Sequence, residues 1–296
     1  MLPEFDLLMP KALPEALEML AKGALDVMPL AGGTSLIVDM RGGVLSSSKG
    51  RLRCPSVLVN VSGLEALRDV RVEDGHVVVG GGMTIAELME HDLITQHAPV
   101  LQSAAAVFAN PLIRNRATVG GNLAYASPAA DSAPPLLVLD ATVELSSKSG
   151  VRRVPLADFF TGVRKTVRQP EELLTAVCWP VPAPRSAAAF HKLALRKADA
   201  ISVLSAAVMV ACDESGHCTE ARIALGAAAP TPIRAQNAED VLRGERLTAD
   251  VIAQAGQLAA ETTCCIDDIR GSAAYRKRVT AALVRRLLTQ VADEVK

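Results

Sequence analysis

Two short glycine segments are the parts of this chain best suited to hold a ligand. The first is Ala31-Gly32-Gly33-Thr34-Ser35-Leu36, which runs on from Val27-Met28-Pro29-Leu30. The second is Thr118-Val119-Gly120-Gly121-Asn122-Leu123, followed by Ser127-Pro128 and Asp131. Glycine permits φ > 0 and lets a ligand approach the main chain closely. Successive N–H groups in such turns make a nest for an anion such as a pyrophosphate, and the Thr and Ser hydroxyls add donors. Neither segment contains Lys or Arg, so neutral amides would cradle a cofactor rather than drive phosphoryl transfer. Neither matches G-x-G-x-x-G or G-x-x-x-x-G-K-[ST], so the two familiar nucleotide folds lack support. Taken alone, each segment also reads as an ordinary turn.

The other reactive side chains offer little. The six cysteines, Cys54, Cys178, Cys212, Cys218, Cys264 and Cys265, contain no CxxC and no four with iron–sulfur or zinc spacing. Vicinal Cys264-Cys265 and the pair Cys212/Cys218 read as reduced core or hairpin residues of a cytosolic protein, and a redox centre here would not be held by thiolates. Five histidines, His76, His91, His97, His191 and His217, include no H-E-x-x-H or other ligand pair, which argues against a protein metal site. Asp131 alone is a helix cap or turn acid, and Lys192 alone a solvated lysine. His191 neighbours Lys192, but strand alternation points adjacent side chains to opposite faces.

Composition narrows the class. The chain has 296 residues, 31 Lys+Arg against 32 Asp+Glu, and a net charge of -1. That length favours two domains, or one with lobes, and needs no metal or disulfide staples. Nucleic-acid and anionic-membrane binding need clustered cations, and base stacking needs aromatics; only five Phe, two Tyr and one Trp occur. The first six residues carry two acids and no basic region ahead of an apolar stretch, so a secretory signal is not expected. Residues 93–113 lack Asp, Glu, Lys and Arg, yet include Gln96, His97, Pro99, Gln102, Asn110 and Pro111. They read as a buried helix and loop, not a membrane span.

The framework that would position the glycine segments mixes strands and helices. Leu13, Leu17 and Leu20 at helical spacing predict a helix over 14–22, with Pro14 in its first turn. Strands are expected at 27–31, 56–61, 76–79, 136–139, 142–145, 151–154 and 172–179. Thr84 and Glu87 form a T-x-x-E capping box that starts a helix after Gly80-Gly81-Gly82. Pro180, Pro182 and Pro184 mark a linker. Beyond it, strands over 201–212 and 218–225 flank the turn at 213–216. Helices then follow over 235–242, 248–262 and 273–290. The last places Arg276, Lys277, Arg278, Arg285 and Arg286 largely on a solvated face, part of which could dock a partner.

Six ordered segments carry a resemblance. AGGTSL (31–36), VVVGGGMTIAEL (77–88), TVGGNLAYASPAADSAPPL (118–136), TGVRKTVRQPEELLTAV (161–177) and the pair FHKLALRKADAISV (190–203) and DIRGSAAYRKRVTAALVRRLL (268–288) recur in this order. Together they resemble the FAD-binding subunit of the molybdenum hydroxylases, the family of xanthine and carbon monoxide dehydrogenases. The resemblance implies an α+β fold: a two-lobed FAD-binding domain of the vanillyl-alcohol oxidase type over 1–179, split near 55–62. A C-terminal domain of small antiparallel sheet plus helices would occupy 185–296. Leu30, Ala31, Gly32, Gly33, Thr34, Ser35 and Leu36 would wrap the FAD pyrophosphate and ribose from one side. Phe108, Ala109, Ala117, Thr118, Gly120, Gly121, Asn122 and Tyr125 would do so from the other. Asp131 matches an acid that binds the cofactor. Leu173 and Leu174 would lie against the isoalloxazine, and Lys192 near its pyrimidine end, where an ammonium would stabilise the negative charge of the reduced ring.

The family further implies a soluble cytoplasmic complex. A large molybdopterin subunit and a small subunit with two [2Fe–2S] clusters would be the partners, in a heterotrimer that could double. Electrons would pass through FAD on this chain to NAD, dioxygen or a quinone. Tyr125 departs from relatives that carry a small hydroxyl residue there. The loop over 42–55 is longer and more basic than in many bacterial relatives and reads as a mobile loop or a partner surface. No cysteine-bearing insertion like that of the 4-hydroxybenzoyl-CoA reductase branch occurs. A stand-alone flavin oxidase or reductase with its own pocket, and an assembly module that has lost FAD, remain as alternatives.

Overall fold

The computed structural model describes residues 2–22, 26–42 and 54–295. The loop singled out over 42–55 thus falls, between 43 and 53, outside the described residues.

The chain first builds a small parallel sheet in which Val57–Asn60 lies between Asp6–Leu8 and Val27–Leu30. Parallel neighbours need a crossover, and the helix Leu13–Lys22 links the two outer strands. Its Ala16 and Leu20 are buried in one cluster with Val59, Val61 and Leu173, with Leu13 and Leu17 packed alongside. The expected stripe is thus the face that closes the first lobe.

The second lobe is a five-stranded antiparallel sheet in the order Val70–Glu73, His76–Gly80, Leu173–Pro180, Thr142–Ser147, Gly150–Pro155. Its core includes Val79, Leu145, Phe159, Val177 and Trp179, each 1% exposed or less. The helix Ile85–Glu90 begins with the expected capping box. Thr84 Oγ1 accepts from Glu87 N at 3.2 Å, and Glu87 Oε2 accepts from Thr84 N at 2.8 Å.

Residues 93–113 fold as parts of three short helices, Asp92–His97, Pro99–Ala106 and Pro111–Arg114. Both prolines sit at the first helical position, where no N–H is needed. Among the described residues no helix is long and apolar enough to cross a membrane. The expected strand at 136–139 is instead the end of a helix, Ala133–Val138, all six residues of which are buried. A fully buried apolar run shows no period to separate strand from helix. Pro134 and Pro135, which favour a helical first turn, were the available signal.

After the proline-rich connection comes a four-stranded antiparallel sheet, Ser186–Ala194, Ser202–Cys212, Cys218–Gly226 and Ile233–Arg234. All eleven residues of Ser202–Cys212 are buried because both faces of the sheet are covered. Leu204, Ala206, Val208 and Val210 pack on the helices Ala249–Glu261 and Ala273–Glu294. Ala207 and Met209 alternate with them and join the core of the second lobe. The cationic face of the last helix needs one correction: Arg276 is 2% exposed and donates to Asp268 Oδ1 at 2.5 Å and to the Ala227 carbonyl at 3.3 Å. Lys277, Arg278, Arg285 and Arg286 are exposed.

Candidate cofactor site

The chain leaves the parallel sheet at Leu30, whose carbonyl accepts from Val61 N at 2.9 Å, and turns through Gly33 at φ +71°. It then enters the helix Leu36–Arg41. Among the described residues, the N–H groups of Gly32, Gly33, Thr34 and Ser35 donate to no protein acceptor. Four successive residues, each half-buried and beside a left-handed glycine, thus keep main-chain donors that a bound anion could take up.

The second segment differs from its expectation. It is a helix, Val119–Tyr125, capped by Thr118. Thr118 Oγ1 accepts from Gly121 N at 3.0 Å, and Thr118 O accepts from Asn122 N at 2.9 Å. Val119 N donates to Met83 O at 3.0 Å, and Gly120 N to Gly81 O at 2.9 Å. Its amides are therefore engaged within the protein. Two adjacent glycines disfavour a helix by propensity, but the threonine cap and the packing against residues 81–83 override that.

The glycines here serve close backbone contact. A Cβ on Gly120 would lie 2.6 Å from Gly81 O, and one on Gly81 2.3 Å from Leu174 O. A Cβ on Gly32 would lie 1.8 Å from Arg116 O. The first segment thus packs on the chain that leads into the glycine helix, and that helix packs on the 80–82 turn. Ala117, buried, adds a bond from Ile85 N to its carbonyl at 2.8 Å.

The remaining expected residues gather at the far end of the glycine helix. Asn122 Oδ1 accepts from Ser132 Oγ at 2.5 Å. Asp131 accepts from Lys192 Nζ at 2.5 Å and from Ser202 Oγ at 2.7 Å. Burial pushes the Asp131 carboxyl above its ordinary range, against the pull of Lys192 and Ser202. With side chains 5% and 9% exposed, Lys192 and Asp131 form a buried ion pair. The ammonium is therefore partly neutralised, which a lysine facing a reduced ring alone would not be. Lys192 also borders a cleft of about 390 Å³ with Val107, His191 and Arg196. Its Nζ reaches the Val107 carbonyl at 3.4 Å. The His191 imidazole is pushed down by burial and by Arg286 of the last helix.

Phe108 and Ala109 are half-buried. The Phe108 carbonyl accepts from Arg114 Nη1 at 2.9 Å, and the left-handed Ala109 accepts from Asp199 N at 3.0 Å. Leu173 and Leu174 are not on an open face: Leu173 is packed in the first-lobe core and Leu174 in the second.

Tyr125 donates its hydroxyl to Asp39 Oδ2 at 3.0 Å, and Arg164 Nη1 donates to the same oxygen at 3.0 Å. Sequence reasoning missed Asp39 and Arg164. The available signal was an acid inside the otherwise apolar stretch Leu36-Ile37-Val38-Asp39-Met40. Burial, reinforced by the bond to Asp39, pushes the Tyr125 phenol up to about 12. A phenol whose folded value is raised adds stability that is complete below its unfolded value near 10 and lost as pH climbs through about 12. Alkaline titration followed by tyrosinate absorbance should show one tyrosine ionising late, and Tyr125→Phe should remove that late phase. A late phase that survives the substitution would place it elsewhere.

The profile of the FAD binding domain in molybdopterin dehydrogenase matches residues 3–182, and that of the CO dehydrogenase flavoprotein C-terminal domain matches residues 188–291. The chain belongs to the FAD-binding medium subunits of the molybdopterin dehydrogenases. It is 33% identical to the carbon monoxide dehydrogenase medium chain of Afipia carboxidovorans, over 99% of this chain and 98% of that one. It is 32% identical to the nicotinate dehydrogenase FAD-subunit of Eubacterium barkeri, over 99% and 97%. Among solved structures, the Cu,Mo-CO dehydrogenase in its cyanide-inactivated form superposes with a TM-score of 0.91 at 33% identity, covering 99% of each chain. Quinoline 2-oxidoreductase from Pseudomonas putida 86 gives 0.89 at 30% identity, over 100% and 99%. As a medium subunit, the chain is part of a molybdopterin-dependent oxidoreductase, with the α+β fold its motifs implied.

Proposed function

We propose that this chain carries FAD and relays electrons within a heteromeric molybdenum hydroxylase of the cytoplasm. Electrons would arrive from [2Fe–2S] clusters on a small partner subunit, after oxidation of substrate at molybdopterin on a large one, and leave to an external acceptor. The observation that carries the reading is the run of open amides at 32–35, in a chain that aligns end to end with FAD subunits. Main-chain donors with no Cβ at Gly32 and Gly33 fit a pyrophosphate, which needs several neutral donors at close range.

In this reading residues 1–179 are the FAD-binding domain and 185–296 the second domain. Residues 30–36 hold the pyrophosphate and adjoining ribose. Phe108, Ala109, Ala117, Thr118, Gly120, Gly121 and Asn122 form the opposite wall. Asp131 and Lys192 bound the far end, where their pair keeps a cation on hand in a site largely closed to water. Leu173 and Leu174, packed in the lobe cores, back the cradle beside Gly81 rather than lining it. Bound there, the flavin would supply exchange of single electrons with the clusters and of electron pairs with the acceptor.

The test is an absorption spectrum of the chain co-expressed with its genomic neighbours, with iron and molybdenum quantified. Flavin bands with both metals in a co-purifying three-chain complex are the expected result. Flavin in a homo-oligomer that turns over a small substrate without metals would overturn the relay, and a colourless chain that stays so with added FAD would overturn the cofactor itself.

A further inference from the structure

The two walls of the cradle are joined at a second point, away from Gly32 and Arg116. Asp39 is 7% exposed and lies one helical turn beyond Ser35, to whose carbonyl its own N–H donates at 2.9 Å. Asp39 is thereby tied to Ser35, the last of the four residues whose amides have no protein acceptor among the described residues. Tyr125 is the last residue of the opposing glycine helix. Its hydroxyl meets the Asp39 carboxylate across 86 residues of sequence, and the Arg164 guanidinium meets it across 125.

Arg164 itself is fixed from both ends. Its backbone is left-handed at φ +56°, and its N–H donates at 3.0 Å to the carbonyl of Ala126, the left-handed residue that closes the glycine helix. Its guanidinium stacks over the Tyr125 ring, 4.6 Å from the centroid. Left-handed conformations cost energy for residues with a Cβ and persist only where surrounding contacts impose them. Two of them here end in one three-way junction.

We propose that Asp39, Tyr125 and Arg164 form a clasp that fixes the spacing of the two cradle walls and thereby sets the affinity for FAD. Tyr125 is then a positioning residue that acts through Asp39, not a group that touches the cofactor. Three features favour this. The hydroxyl is already donated to Asp39, one ring face is covered by Arg164, and both donors converge on a single carboxylate oxygen. Gly32 against Arg116 supplies one point of contact between the walls; a second is needed to stop rotation about it. The phenol pushed up to about 12 agrees with a hydroxyl held in place as a donor. The inference rests on the reading of this chain as an FAD carrier.

The experiment is a fluorescence titration of FAD into the full-length, flavin-stripped chain, at a temperature where circular dichroism shows every variant folded. Tyr125→Phe and Asp39→Asn are each expected to weaken FAD binding about tenfold. The double variant should bind no worse than the weaker single, because both substitutions open the same clasp. Arg164→Gln, on a side chain 38% exposed, should give the same loss and guards against a folding defect at the buried positions. Tyr125→Phe binding as tightly as wild type overturns the proposal. So does a double variant whose losses multiply, since Tyr125 would then contribute independently of Asp39. Wild type that takes up no FAD overturns the cofactor reading first, and the clasp with it.

Discussion

Gly32→Ala is expected to empty the proposed flavin site, lowering FAD affinity by at least about a hundredfold, roughly 3 kcal/mol. The added Cβ would lie 1.8 Å from Arg116 O, 2.5 Å from Arg116 C and 3.0 Å from Ala117 N. The obstacle is main chain, and it is held in place. Arg116 N and Ala117 N both donate to Ile113 O, at 3.0 and 2.7 Å, while the Ala117 carbonyl accepts from Ile85 N. Since residues 116–117 cannot yield cheaply, the first segment must lift away, and its four amides leave the glycine helix. Overpacking of this kind also costs about 1–3 kcal/mol of fold stability. Gly63→Ala is the control, because a Cβ there meets nothing within 4 Å. Flavin absorbance per chain and urea melts would report both effects. Stoichiometric flavin in Gly32→Ala would show that the two segments need not touch for the cofactor to be held.

Lys192→Met should cost about 3–5 kcal/mol of stability at neutral pH. It strands the Asp131 carboxylate in a site 9% exposed, with Ser202 as the one remaining side-chain donor among the described residues. The paired change Lys192→Met with Asp131→Asn should recover most of the loss, because a neutral amide needs no counter-ion. The pH dependence follows from the sign of the shift. Burial already holds Asp131 above its ordinary value, and loss of the ammonium raises it further. An acid whose folded value is raised is most favourable to the fold below its unfolded value, and that contribution fades as pH climbs through the folded one. The deficit of Lys192→Met should therefore shrink as pH falls toward the aspartate range. Urea melts at two pH values would check it, and a deficit that grows on acidification would place the charge elsewhere.

Much of the framework was legible because it depends on neighbours in sequence. The stripe Leu13, Leu17 and Leu20 marked a helix, and Thr84 with Glu87 marked the start of another. Both signals act within one or two turns, and so survive without knowledge of what packs on them. The helix Ala133–Val138 was misread as a strand because burial on every side erases the period that separates the two. Arg276 was placed with the solvated cations because its partners, Ala227 O and Asp268, come from other segments of the chain.

The two glycine segments show the same division more sharply. Their sequences look alike, two glycines beside a threonine, and both read as anion-holding turns. In the structure the amides of the first have no protein acceptor among the described residues, and the second is a capped helix whose amides are already engaged. Thr118, inside the second segment, caps Gly121 N and Asn122 N, while Gly81 and Met83, more than thirty positions away, accept from Gly120 N and Val119 N. By itself the sequence determined the local starts and stops, the α+β class and the family, since these rest on residue types in order along the chain. Which amides stay free, which glycine is forbidden a side chain, and that Tyr125 answers to Asp39 were decided only by tertiary contact, because a hydrogen bond is claimed by whichever partner folding brings within 3 Å.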